Sequence, residues 1–129
     1  MRLRGARGAI VVKENSSEAI IEGTKELLNK MISENHIDIG DIGAIIFSST
    51  PDLDAAFPAA GARELGLSLV PLFCCSEIDV TGSLDRCIRI LILFSSDKRL
   101  DEIKHVYLGE AENLRPDLAQ YSNDPEQPD

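Results

Sequence analysis

Four side chains in this sequence need a chemical explanation: Arg7, Glu77, Arg89 and Tyr107. Arg89 lies in the apolar segment 87–94, where strand alternation sets its side chain among apolar neighbours. A guanidinium cannot shed its charge, so a buried one requires an anion. The ordinary explanation is a strand-end arginine that reaches water or pairs with a structural carboxylate.

The other three side chains are each weak signals on their own. Arg7 would ordinarily be a surface arginine among glycines, and Glu77 a turn carboxylate at the end of an apolar run. Tyr107 would ordinarily be a half-buried strand aromatic with its hydroxyl at the rim. Together, two arginines and one acid predict a site for a small dianionic molecule. Glu77 would accept a bond from a hydroxyl of that molecule or offset a cationic centre.

The sequence offers no nucleophile and base to accompany these residues. No serine stands in a nucleophile elbow, and neither His36 nor His105 has a motif partner. Glycine-rich phosphate loops are also absent. The three cysteines have no CxxC spacing, so neither a disulfide framework nor a zinc site is expected, and we expect no metal.

Strands interleaved with two helices must position these residues. The predicted strands cover 2–12, 42–49, 68–76, 87–94 and 104–111, and the predicted helices cover about 17–35 and 58–65. Asn15 and Glu18 form a possible capping box before the first helix. This order predicts an α+β domain on one five-stranded mixed sheet. Two helices leave much of one sheet face uncovered, so we expect subunits to associate there.

Charge and composition exclude several classes of protein. Lys and Arg number 13 against 22 Asp and Glu, and the resulting net charge of −9 argues against nucleic acid as a partner. No apolar run reaches 18 residues, so no membrane span is expected. The apolar stretch after the basic start is too short for a signal peptide, which predicts a cytoplasmic location. Residues 1–118 are expected to form one domain, and 119–129 a disordered acidic tail.

Eight segments, in order, resemble the AroH-type chorismate mutases over about residues 2–118. They are RGARGA at 4–9, STPDL at 49–53, AFPA at 56–59, AREL at 62–65, DVTGSL at 79–84, CIR at 87–89, HVYL at 105–108 and LRPDL at 114–118. The resemblance implies a homotrimer of pseudo α/β-barrel subunits with active sites at the subunit clefts. It also implies rearrangement of chorismate to prephenate without a cofactor.

The resemblance further implies roles for individual residues. The positions matching Arg7, Arg89 and Tyr107 contact the carboxylates and ether oxygen of the substrate, and the position matching Glu77 accepts a bond from its ring hydroxyl. Other positions that bind substrate, line the site or close it match Phe57, Arg63, Cys74, Leu114 and Arg115.

Two other functions stay open at this point. One is a non-catalytic trimeric module that binds a small anionic metabolite, which needs no group aimed at an ether oxygen. The other is an enamine or imine deaminase on the similar trimeric fold of the RidA family, which has to move protons. The Asp-Val-Thr-Gly turn at 79–82 and the segment 114–118 favour the mutase.

Overall fold

The computed structural model describes residues 1–113. Its strands are β1 (Arg2–Val11), β2 (Ile42–Ser49), β3 (Leu72–Ser76), β4 (Cys87–Ser96) and β5 (Val106–Leu108), and its helices are α1 (Ser17–Glu34) and α2 (Ala59–Glu64). Short 3-10 helices lie at Ile39–Asp41, Leu100–Glu102 and Gly109–Asn113. The predicted α+β class is confirmed. The predictions for Leu114, Arg115 and the tail at 119–129 fall outside the described residues.

The five strands form one mixed sheet in the order β3-β2-β4-β1-β5. The central strand β4 pairs antiparallel with both β1 and β2, while β5 joins β1 and β3 joins β2 in parallel. Along β4 the even-numbered residues from Ile88 to Phe94 are buried, and the odd-numbered ones from Arg89 to Leu93 are half-buried. Successive strand residues point to opposite faces, so the two faces of the sheet have different surroundings.

Both helices cover the same face of the sheet. The core contains Leu27 and Leu28 of α1 together with Ile88 and Ile90 of β4, so α1 packs on the even-numbered side of that strand. The opposite face has no α-helix within residues 1–113, although the 3-10 helix Gly109–Asn113 packs against one end of it through Ala111. This face exposes 67% of Leu3 and 66% of Phe73. We call it the uncovered face. Its presence agrees with the expectation drawn from the number of helices.

Helix α1 begins after Ser16, whose hydroxyl accepts a 3.1 Å hydrogen bond from the Ala19 N–H. The predicted capping box of Asn15 and Glu18 is therefore wrong. Asn15 is engaged elsewhere, because its side-chain amide donates a 2.7 Å bond to the Asp54 carboxylate. Among residues 1–113, no helix is both long and apolar enough to cross a bilayer.

The third and fifth strands are shorter than predicted. The strand predicted over 68–76 begins only after Pro71, because proline has no N–H for the ladder and the residues before it form a turn. The strand predicted over 104–111 covers only Val106–Leu108. There Gly109, with φ of 62°, turns the chain into a 3-10 helix.

Helices α1 and α2 are in close contact at Gly61. A Cβ built there would lie 2.9 Å from the Ile21 carbonyl oxygen and 2.9 Å from the Thr24 Cβ. A backbone oxygen cannot move aside, so Gly61→Ala should overpack the contact and cost about 1–3 kcal/mol. That cost exceeds the gain in helix propensity, which is about 1 kcal/mol at most. We expect denaturant titration to show a net loss of unfolding free energy.

Gly40→Ala is the matched control for this substitution. Its added Cβ would meet nothing nearer than the Asp38 side chain at 3.5 Å, an ordinary contact. We expect its unfolding free energy to change by less than about 0.5 kcal/mol. Equal losses in the two variants would contradict the close contact at Gly61.

Candidate active site

Four neighbouring strands bring polar side chains together on the uncovered face. Arg89 of β4 stands opposite Ala9 of β1 and Ser48 of β2, and Ala9 in turn pairs with Tyr107 of β5. Paired residues share a sheet face, so their side chains meet there. A depression of about 180 Å³ results, lined by Arg7, Gly8, Ile46, Ser48, Arg89, Ile90, Leu91 and Tyr107. We call it the arginine depression.

Glu77 links Arg89 to Ser48. Its Oε2 lies 3.3 Å from the Arg89 Nε, and its Oε1 accepts a 3.2 Å hydrogen bond from the Ser48 hydroxyl. The Arg89 N–H does not point at Oε2 with hydrogen-bond geometry, so charge alone holds that contact. The Arg89 side chain is 38% exposed. Both ordinary explanations of its charge therefore hold in part, since it has a carboxylate partner and a route to solvent.

Arg7 is a half-buried cation that has no counter-ion in the part of the chain that the structure describes. Its backbone N–H donates a 3.0 Å hydrogen bond to His105 Nδ1, which fixes the main chain at this point. Within residues 1–113 its guanidinium makes no hydrogen bond and no ion pair. A guanidinium in that state is suited to bind a carboxylate of a ligand through two parallel hydrogen bonds.

Tyr107 and Cys87 pack together on the uncovered face. They belong to a small buried cluster with Ala9 and Ala111, and only 3% of Tyr107 is exposed. Burial raises the pKa of the Cys87 thiol, and the neighbouring charge of Arg89 offsets part of that rise. A thiol with a raised pKa is a poor nucleophile at neutral pH. Cys87 therefore acts here as packing.

The remaining predicted residues within 1–113 lie elsewhere in the subunit. Phe57 and Cys74 line a second cavity of about 510 Å³, at the ends of β2 and β3. Arg63 is exposed in the last turn of α2 and lines neither cavity. The structure thus brings Arg7, Glu77, Arg89 and Tyr107 together and separates them from these three.

The two cavities are separate and share no lining residue. Ser48 lines the arginine depression, whereas its neighbour Ser49 lines the second cavity beside Ser76, its partner on β3. Adjacent residues of a strand point in opposite directions. The second cavity lies at the edge strand β3 and includes both Cys75, the partner of Ser48, and Ser76, the partner of Ser49, so it reaches both sides of the sheet there.

The sequence analysis missed Ser48 as a member of the site. Its residue type is ordinary at the end of a strand, and the only available signal was its position in β2. That signal becomes informative once the pairing of Ser48 with Arg89 is known, and pairing between distant strands is not encoded in a local pattern.

Comparison with known proteins gives consistent results. Residues 3–118 match the family model for chorismate mutase type I. Chorismate mutase AroH of Bacillus subtilis is 46% identical over 124 residues, which cover 95% of this chain and 98% of that protein. Chorismate mutase AroH of Thermus thermophilus is 50% identical over 117 residues, covering 90% and 96%. A solved chorismate mutase from Clostridium thermocellum has a TM-score of 0.84 at 44% identity, covering 85% of this chain and 98% of its own.

These matches decide among the three functions that the sequence left open. They extend over nearly the whole chain and include the fold as well as the sequence. They favour the mutase over both the anion-binding module and the deaminase, and they confirm the resemblance seen in the eight segments. The chain belongs to the chorismate mutase type I family, and it is an isomerase.

Proposed function

We propose that this chain rearranges chorismate to prephenate at the arginine depression, by orienting the substrate and stabilising the charge that develops on it. The observation that carries the proposal is the half-buried Arg7, whose guanidinium has no counter-ion among the described residues, beside the Arg89–Glu77 pair. Chorismate carries two carboxylates, a ring hydroxyl and an ether oxygen. The depression offers cations for the carboxylates, a carboxylate for the ring hydroxyl and a hydrogen-bond donor for the ether oxygen.

The reaction itself explains why a nucleophile and a base are not needed. In this intramolecular Claisen rearrangement a C–O bond breaks while a C–C bond forms, and no proton is transferred. The barrier can be lowered by holding the flexible enolpyruvyl side chain over the ring. It can also be lowered by stabilising the charge that separates as the ether bond stretches.

Each residue of the depression then has a distinct role. Arg89 donates to the ether oxygen as negative charge develops there, so its contribution increases in the transition state. Arg7 holds a carboxylate with help from Tyr107, while Glu77 accepts a bond from the ring hydroxyl and offsets positive charge on the ring. A millionfold acceleration corresponds to roughly 8 kcal/mol. One preorganised charged donor supplies about 3–4 kcal/mol of that, and orientation must supply the rest.

Loss of chorismate absorbance tests this function directly. We expect the purified protein to consume chorismate with turnover and to release prephenate, which places it in aromatic amino-acid biosynthesis. Binding of chorismate without its consumption would favour the anion-binding module. Hydrolysis of an enamine or imine, with chorismate left intact, would favour the deaminase.

The absence of proton transfer leads to a prediction about pH. A general acid or base makes kcat follow the ionisation of that group. Arginines stay charged throughout the usable range. We therefore expect kcat to be flat from about pH 6 to 9, insensitive to chelators, with no solvent deuterium effect beyond that of viscosity.

A different pH profile would contradict the mechanism. A bell-shaped pH profile of kcat centred near neutrality, or a solvent isotope effect of about 2 or more, would require proton transfer during the reaction. The search for a base would then begin with Glu77 and His105, since both lie at the arginine depression or beside it.

A homotrimer with active sites between subunits is the second part of the proposal. Phe57 and Cys74 line a different cavity from the arginine depression and Arg63 lines neither, so the proposal places these three at the ligand from a neighbouring chain. The uncovered face gives the apolar surface for that association. The proposal places the protein in the cytoplasm.

Sedimentation measures the assembly. A closed cyclic trimer should have a mass of about 42 kDa (3 × 14.1 kDa) at micromolar concentration. A monomer that consumes chorismate at a normal rate would contradict the shared site.

A further inference from the structure

We propose that Ser48 is a positioning residue for the reaction, acting through Glu77 to keep Arg89 available to the substrate. The inference rests on the proposed function and deepens it. Ser48 does not donate to the substrate in this account. Its hydroxyl holds the Glu77 carboxylate so that this acid touches only the Nε edge of the guanidinium.

The backbone around Glu77 is fixed, but its side chain needs a further contact. The Glu77 N–H donates a 2.9 Å hydrogen bond to the Ser49 carbonyl, which ties the end of β3 to β2. From there the carboxylate reaches between Ser48 and Arg89, which are direct cross-strand partners. Its two contacts, at 3.2 Å and 3.3 Å, assign one oxygen to each partner. The serine thus determines how the carboxylate is turned.

Loss of the Ser48 hydroxyl would change that division. The Glu77 Oε2 and the Arg89 Nε are buried without a hydrogen bond to any residue of 1–113, so each still lacks a partner. A carboxylate released from Ser48 would satisfy both by turning onto Arg89 as a bidentate pair. Such a pair occupies two N–H groups of the guanidinium, including a terminal one. Arg89 would then have less to offer an ether oxygen in the transition state.

The expected signature is a loss in kcat with little change in KM. We expect Ser48→Ala to lower kcat about 10-fold, because the lost alignment matters in the transition state more than in the ground state. Ser48→Thr keeps the hydroxyl and should stay within about 3-fold of wild type. Ser48→Cys has a weaker donor and should fall between the two, so it supplies a second readout if the alanine variant folds poorly.

Ser95→Ala is the matched control. Ser95 is also a half-buried strand serine on the uncovered face, six residues along β4 from Arg89. That spacing corresponds to about 20 Å, so its loss should leave kcat unchanged. Circular dichroism and thermal melts of all variants measure whether each is folded.

A double-mutant cycle separates positioning from a merely structural role. If Ser48 acts through Glu77, Ser48→Ala should lower kcat about 10-fold in wild type and hardly at all in Glu77→Gln. An amide cannot form the competing ion pair with Arg89, so nothing remains for Ser48 to prevent. If the kcat losses of the two single variants multiply in the double variant, Ser48 acts independently of Glu77, and the inference is overturned.

Other outcomes also decide the matter. Wild-type kcat in Ser48→Ala, or an equal loss in Ser95→Ala, would overturn the inference while leaving the proposed function intact. A folded wild-type protein that does not consume chorismate would overturn the proposed function and this inference with it.

Discussion

Replacing Arg89 with lysine is expected to lower kcat at least about 100-fold, because the lost contact belongs to the transition state. Lysine keeps the positive charge but loses the planar fork of five donors. In the structure the Nε edge faces Glu77 at 3.3 Å, which leaves the terminal nitrogens for the substrate. A single ammonium cannot contact both Glu77 and the substrate with the same geometry. Steady-state loss of chorismate absorbance measures the effect.

Arg99→Lys is the control for charge and size. Arg99 also presents its Nε to a carboxylate, at 3.0 Å from Asp101, and its side chain is 69% exposed. We expect no change in kcat for this variant. A near-normal kcat with only a raised KM in Arg89→Lys would show that Arg89 binds the substrate without stabilising its transition state.

Mixing two inactive variants is expected to restore about a quarter of wild-type activity, on the cyclic arrangement proposed above. One variant carries Arg89→Lys, and the other carries Arg63→Glu, which reverses an exposed charge on α2. When their chains are unfolded together in equal amounts and refolded, about three quarters of the trimers contain both variants. Each mixed trimer has one site of three in which neither side is altered.

Two controls make this result specific. Each variant refolded alone should stay inactive, and the two mixed after separate refolding should stay inactive until chains exchange. No recovery from co-refolded mixtures, with trimers of normal mass, would mean that Arg63 and Arg89 serve a site within one chain.

The elements were largely predictable from local patterns. The apolar spacing along α1 and the alternation in β4 reflect which face of each element is buried, so both were found nearly residue for residue. The errors came from contacts between distant segments. Asn15 was assigned to the helix cap but binds Asp54 of another loop, and the short β5 ends where Gly109 turns the chain.

The site was predictable as a set of residues, but its geometry was not. A charged side chain in an apolar strand is a visible anomaly, which is why Arg89 was identified from sequence. Its partners depend on the strand order, because β1, β2 and β4 are brought together by pairings across dozens of residues. The role of Ser48 and the separation of Phe57 from Arg89 both follow from that order. No local sequence pattern predicts either of them.

The strand order also has a consequence for biosynthesis on the ribosome. The first strand to be made, β1, lies between β4 and β5, which are among the last described elements to emerge. Its ladder with β4 cannot be complete until about residue 96 has left the exit tunnel, because Arg2 pairs with Ser96 at the end of β4. During that interval β1 and the apolar side of α1 lack β4, the central strand on which both pack. Nascent chains stalled before this point should therefore be sensitive to protease and should bind chaperones that recognise exposed apolar segments.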